Sequence, residues 1–128
     1  MAKEKKYQVL LVEDDPFLHK VLSQRLNDEG IAVTVATDGE AAVAEAAKIS
    51  PDLILLDLIL PKKSGFEVLS EIRAKGGKKI PVIVLSNLGQ QKDIDQIEKL
   101  GIEEYLVKAD HSLSEIVVKI KKYLAALD

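Results

Sequence analysis

Two runs of aliphatic residues in this 128-residue chain end in carboxylates. Val9-Leu10-Leu11-Val12 runs into Glu13-Asp14-Asp15, and Leu53-Ile54-Leu55-Leu56 runs into Asp57. Such runs are too apolar for loops and read as buried strands. A carboxylate at the end of one is costly unless a cation or hydrogen bonds compensate it, so acids placed there point to chemistry. Glu13, Asp14 and Asp57 brought together repel as anions and lift at least one pKa; a divalent cation resolves the conflict. With oxygen donors and no His or Cys beside them, Mg²⁺ fits better than zinc. Mg²⁺ held by Asp14 and Asp57 leaves positions open for a phosphoryl group. A carboxylate can itself attack phosphorus to form an acyl phosphate, and a lysine and a hydroxyl then meet the charge on the transferring group. Lys108 and Ser86, each after a further apolar run, supply that cation and that hydroxyl.

The elements that must position these groups follow from the spacing. Apolar runs of strand length recur at Tyr7–Val12, Ile31–Ala36, Leu53–Leu56, Val82–Leu85 and Glu104–Val107. Helical periodicity lies between them, as in Pro16–Glu29, where Phe17, Leu18, Val21, Leu22 and Leu26 share one face. Asp15 reads as its N-cap, Pro16 as its first turn and Gly30 as its stop. Thr37/Glu40, Ser64/Glu67 and Ser112/Glu115 have capping-box spacing, and Gly76-Gly77 and Gly101 mark two more helix ends. Strands that are aliphatic throughout imply a parallel sheet covered on both faces. Five strand–helix units are too few for an eight-stranded barrel, so an open, doubly wound α/β sheet is expected. Ligands in such sheets bind beyond the carboxyl ends of the strands. Asp14, Asp57, Ser86 and Lys108 should therefore converge on one rim.

Composition narrows the function classes. Hydrophobic residues make up 47% and charged residues 30%, as in a globular domain; one domain over 1–128 is expected, with its core at about 6–127. No window approaches the roughly 18 apolar residues of a membrane span, and Met1–Lys6 lacks a signal-peptide core. Cysteine is absent, which removes disulfides and thiolate metal sites and fits a cytoplasmic location. A net charge of −3 with interspersed signs lacks the basic footprint of a nucleic-acid binder. His19, His111 and the lysines at 62–63 and 78–79 read as solvated surface.

The chain resembles a response-regulator receiver domain of two-component signalling, of the single-domain chemotaxis type. The resemblance is carried by Leu10-Leu11-Val12-Glu13-Asp14-Asp15, Asp52–Pro61, Gly65-Phe66-Glu67-Val68-Leu69, Pro81–Ser86 and Tyr105-Leu106-Val107-Lys108. It implies a flavodoxin-like fold with strand order 2-1-3-4-5, and Asp57 as phosphoacceptor. Asp14 and Asp57 would ligate Mg²⁺ directly with the backbone carbonyl of Ile59, and Glu13 through metal-bound water. Ser86 would move to the phosphoryl group on activation, Lys108 would pair with it, and Tyr105 would change rotamer with Ser86. The donor would be a phosphohistidine on a sensor kinase or phosphotransfer protein. The readout face would be the fourth helix, fifth strand and fifth helix, from Gln91 to Leu127, with apolar Ile94, Ile97 and Leu100 mainly in the core. The expected whole is a stand-alone, Mg²⁺-dependent regulator that is no enzyme in its own right. It would dock another protein or relay phosphate, as a monomer or a phosphorylation-dependent homodimer, without contacting nucleic acid or membrane.

Three departures qualify the resemblance. Ala109 stands where relatives have a cis-linked proline; a non-proline cis bond costs about 3–4 kcal/mol, so a trans bond and a shifted final loop are expected. Asn87 stands where a small residue is usual. Ile59, two residues beyond Asp57, puts an aliphatic side chain on the attacking water's route, and slow phosphate loss is expected. An aspartyl phosphatase would need a second acid at that position. A flavin-binding relative would need Ser, Thr or Gly where Glu13-Asp14-Asp15 stands. A receiver-like module that binds without phosphorylation is the remaining alternative.

Overall fold

The computed structural model describes residues 6–76 and 79–128; residues 1–5, Gly77 and Lys78 lie outside that range. Among the described residues, strands and helices alternate: β1 (Gln8–Val12), α1 (Pro16–Asp28), β2 (Ala32–Ala36), α2 (Gly39–Ile49), β3 (Leu53–Leu56), α3 (Gly65–Lys75), β4 (Val82–Ser86), α4 (Gln91–Glu98), β5 (Glu104–Val107) and α5 (Leu113–Ala125), with a 3₁₀ turn at Lys108–Asp110. All pairings are parallel, and the sheet order is β2-β1-β3-β4-β5. This is the doubly wound, flavodoxin-like architecture expected from the sequence. No helix among the described residues is long and apolar enough to cross a membrane.

The twofold alternation of a strand assigns each aliphatic residue to a face. Val9, Leu11, Leu53, Leu55, Ile83, Leu85 and Leu106 pack against Leu22 and Leu26 of α1 and Ile116, Val117, Ile120 and Leu124 of α5. Their neighbours Leu10, Val12, Ile54, Leu56, Val82 and Val84 pack against α2, α3 and Ile97 of α4. β1, β3 and β4 are buried on both faces, which is why their sequences do not alternate between apolar and polar.

Local signals end the helices largely as read. Asp15 accepts the Phe17 and Leu18 amides, Gly30 takes φ 80 after α1, and Ser64/Glu67 and Ser112/Glu115 are reciprocal capping boxes. The exception is α2. Its cap is Asp38, whose carboxylate accepts the Ala41 amide at 2.8 Å, one residue beyond the expected Thr37. Gly76 caps α3.

Candidate functional site

Parallel register brings the polar residues together. Val12 pairs with Leu56, so Glu13 and Asp57 leave adjacent strands at one level. The ladder continues past both: the Asp57 amide donates to Val12 and the Glu13 amide to Ala36, each at 3.0 Å. On the other side Leu56 pairs with Val84 and Ser86 with Val107, which sets Ser86 beside Asp57 and Lys108 just past β5. From β1 the chain proceeds to β2 on one side, and from β3 to β4 on the other. The cleft between β1 and β3 is thus the switch point where such sheets bind ligands.

Asp57 is only 4% exposed. Its Oδ1 accepts the Ser86 hydroxyl at 2.8 Å and the Ile59 amide at 3.1 Å, and its Oδ2 accepts Lys108 Nζ at 2.8 Å. Lys108 Nζ also lies 2.8 Å from Glu13 Oε1, and Glu13 Oε2 accepts the Asp15 amide at 3.0 Å. One ammonium thus bridges two buried acids. Burial pushes the Glu13 carboxyl above its ordinary range, and the Asp57 charge adds to this against the pull of Lys108 and the Asp15 amide. Burial works against the Lys108 ammonium, but its bonds to Asp57 and Glu13 outweigh that and raise its pKa. Lys108 is therefore a cation.

Asp14 is exposed at the mouth, and one carboxylate oxygen each from Glu13, Asp14 and Asp57 lie within 4.8 Å of one another. This all-oxygen donor set, open on the Asp14 side, fits Mg²⁺. Both Glu13 oxygens are engaged, by Lys108 Nζ and by the Asp15 amide.

No cis peptide occurs among the described residues, Lys108-Ala109 included, and the chain enters the 3₁₀ turn instead. The altered loop still lets Lys108 reach both acids. Tyr105 is half-buried and donates its hydroxyl to the Leu88 carbonyl at 2.5 Å, a backbone partner that no side-chain pattern encodes. Asn87 is exposed. His19 and His111 lie partly exposed at the surface, and His111 Nδ1 has no hydrogen-bond partner among the described residues. Of the fourth-helix apolar residues, Ile97 is buried and Ile94 and Leu100 are half-buried.

Sequence reading assigned no structural role to Gly39 or to Gly65, the latter quoted only within a motif of the resemblance. Each is the first residue of a helix, directly after its cap. Glycine is unfavourable within a helix, so its place after Asp38 and after Ser64 was the available signal of close backbone packing.

Residues 9–121 match the model of the response regulator receiver domain. The chain belongs to that family. The receiver is 37% identical over 118 residues to the sensory transduction protein RegX3 of Mycobacterium tuberculosis, an alignment covering 91% of this chain and 50% of RegX3. It is 35% identical over 122 residues to RpaA of Synechocystis, a DNA-binding dual master transcriptional regulator, covering 94% of this chain and 50% of RpaA. The chain thus spans about half the length of these relatives. Among solved structures it resembles the receiver domain of the sensor histidine kinase PA1611 from Pseudomonas aeruginosa, with a TM-score of 0.82 and 31% identity over 94% of this chain and 99% of that one. That structure holds a magnesium ion coordinated in the active-site cleft.

Proposed function

We propose that this receiver takes a phosphoryl group onto Asp57 from a phosphohistidine of a sensor kinase or phosphotransfer protein, and that the modified form switches a protein-binding face. The observation that carries this reading is the setting of Asp57. A buried carboxylate stands with a hydroxyl and an ammonium on its own oxygens and two further acids at its side.

In the transfer, an Asp57 oxygen bonds to phosphorus while the P–N bond to the donor breaks and its electron pair returns to the imidazole. Asp14 and Asp57, with the Ile59 carbonyl and with Glu13 through water, would hold Mg²⁺, which when bound supplies charge neutralisation for the phosphoryl oxygens. Lys108, already beside Asp57, pairs with the incoming charge, and Ser86 donates its hydroxyl to a phosphoryl oxygen instead of to Oδ1. The group adds about −1.5 to −2 charge and three acceptor oxygens. Ser86 and Lys108 must therefore re-aim, and that differential contact is what can shift a two-state equilibrium. Tyr105 and the β4–α4 loop, joined through the Leu88 carbonyl, carry the change towards Gln91–Leu127.

The receiver has no separate substrate to turn over; phosphate uptake and loss are its own chemistry, and Ile59, 55% exposed beyond Asp57, slows the loss. We place the exchange in the cytoplasm. The output is contact with another protein, the part a stand-alone regulator plays, or a second copy of the chain. The RpaA likeness brings DNA-binding relatives into view; the interspersed charge and net −3 of this chain support a protein rather than a nucleic acid as the partner of this domain.

The test treats the protein with a small-molecule phosphodonor, with and without Mg²⁺, and reads intact mass. One added phosphoryl group, absent from Asp57→Ala and absent without the metal, is expected. No gain in the wild type overturns the proposal and favours a module that binds without phosphorylation.

A further inference from the structure

Two helix-start glycines grip the loop that follows Asp57. The Gly65 amide, at the start of α3, donates to the Leu58 carbonyl at 2.9 Å. A Cβ there would lie 2.5 Å from the Asp57 carbonyl oxygen and 2.6 Å from Leu58 Cα. The Gly39 amide, at the start of α2, donates to the Pro61 carbonyl at 3.1 Å. A Cβ there would lie 2.3 Å from the Lys63 carbonyl oxygen and 2.4 Å from Lys63 Cβ. Neither position has room for any other residue without moving backbone.

The gripped segment is strained. Lys62 has φ 70, and the Lys63 amide donates to the Pro61 carbonyl at 2.8 Å, a γ-turn of the rare, strained hand. A non-glycine residue keeps such a conformation only where its surroundings over-determine it. Here the Pro61 carbonyl also accepts the Gly39 amide, the Asp38 carboxylate faces Lys62 at 3.7 Å, and Lys63 Nζ reaches both Glu71 oxygens at 2.7 Å. Gly65 touches the phosphoacceptor's own backbone, so its role is local. Gly39 lies on a different element and meets none of the acids, yet it holds the loop's far end.

We infer that Gly39 is a positioning residue for the metal site. It lets α2 seat directly against Pro61–Lys63, and with Gly65 pinning Leu58 this fixes the intervening Ile59 carbonyl, the oxygen proposed above as a donor together with Asp14 and Asp57. The inference rests on the Mg²⁺-dependent reading above and names the residue that sets one of its ligands.

Calorimetric titration of Mg²⁺ into wild type, Gly39→Ala and Ile72→Val tests it, with circular dichroism and thermal midpoints recorded for each. Ile72→Val trims the core under α3 and lowers stability without touching the loop. Gly39→Ala is expected to weaken Mg²⁺ binding about tenfold while folded, the size of effect seen when a ligand's support is lost; Ile72→Val keeps wild-type affinity. A folded Gly39→Ala protein with wild-type affinity overturns the inference alone, and a wild type that binds no Mg²⁺ overturns the metal reading with it. Should Gly39→Ala not fold, a Mg²⁺ titration of the wild type followed by amide NMR decides: the Gly39 resonance must move together with those of Asp57 and Ile59. A Gly39 resonance that stays still overturns the inference.

Discussion

Lys108 is 19% exposed at its side chain, and the acids it bridges, Glu13 and Asp57, are 2% and 5% exposed. At that depth the ammonium holds two anions that would otherwise face each other with nothing between. Removing one partner of a buried ion pair costs about 3–5 kcal/mol because the other is left uncompensated. Lys108→Met is therefore expected to lower the unfolding free energy by about 3 kcal/mol in metal-free buffer, read from urea denaturation. Excess Mg²⁺ should restore part of the loss, since a cation between the same carboxylates replaces the missing charge. A variant as stable as wild type without metal would show that the bridge carries no such weight. Asp57, Ser86 and Lys108 were legible in the sequence because each is a polar residue set where an apolar run should continue or turn. The Lys108–Glu13 contact was not, because it depends on the height at which two distant strands end.

Among the elements, β5 and α5 are joined by a small ionic cluster. Glu104 on β5 accepts Lys119 Nζ at 2.7 Å and the Tyr123 hydroxyl at 2.8 Å, both from α5. The Lys119 bond holds the Glu104 carboxyl below its usual range, helped by Tyr123 and opposed by burial. An acid whose folded pKa is depressed adds stability above its unfolded pKa and loses it as pH falls through the folded value. Wild type and Lys119→Met should thus differ by about 0.5–1 kcal/mol at neutral pH, a size set by partial solvent exposure. The gap should close as pH falls through and below the ordinary carboxylate range, measured by chemical denaturation across that series. A gap unchanged in acid would mean the lysine acts through packing alone. At this scale the sequence spoke clearly about strands and caps, because β-branched runs and Ser-x-x-Glu spacings act over a few residues. It misplaced the cap of α2 because Thr37 and Asp38 are both good caps. The choice between them is made by the close approach of Gly39 to Lys63, a contact between elements.

Across the whole molecule, α4 is held differently from its neighbours. It has eight residues, no side-chain bond at its N-cap Gln90, and Ile97 as its buried residue. Its ends are tied from outside: Tyr105 bonds the Leu88 carbonyl before it, and Arg73 of α3 bonds the Leu100 and Gly101 carbonyls after it at 3.2 and 2.6 Å. The same guanidinium holds the Ile80 carbonyl ahead of β4 at 2.7 Å, so it joins α3, β4 and the α4–β5 turn at the end of the sheet away from Asp57. Few buried contacts and two end tethers make an element that opens or shifts at low cost. Arg73→Met removes one tether. It should lower global stability by about 2 kcal/mol, the scale of hydrogen bonds to a charged group. Amide exchange from Gln91 to Gly101 should quicken more than exchange in β1 or β3. The phosphoryl uptake proposed for Asp57 should keep its wild-type rate, because Asp57 sits at the opposite rim. Uniform acceleration across the sheet would instead make Arg73 a general support of the fold. Acceleration confined to α4 identifies the helix as a separately movable unit, which is what a switch read out between Gln91 and Leu127 requires of the chain that carries it.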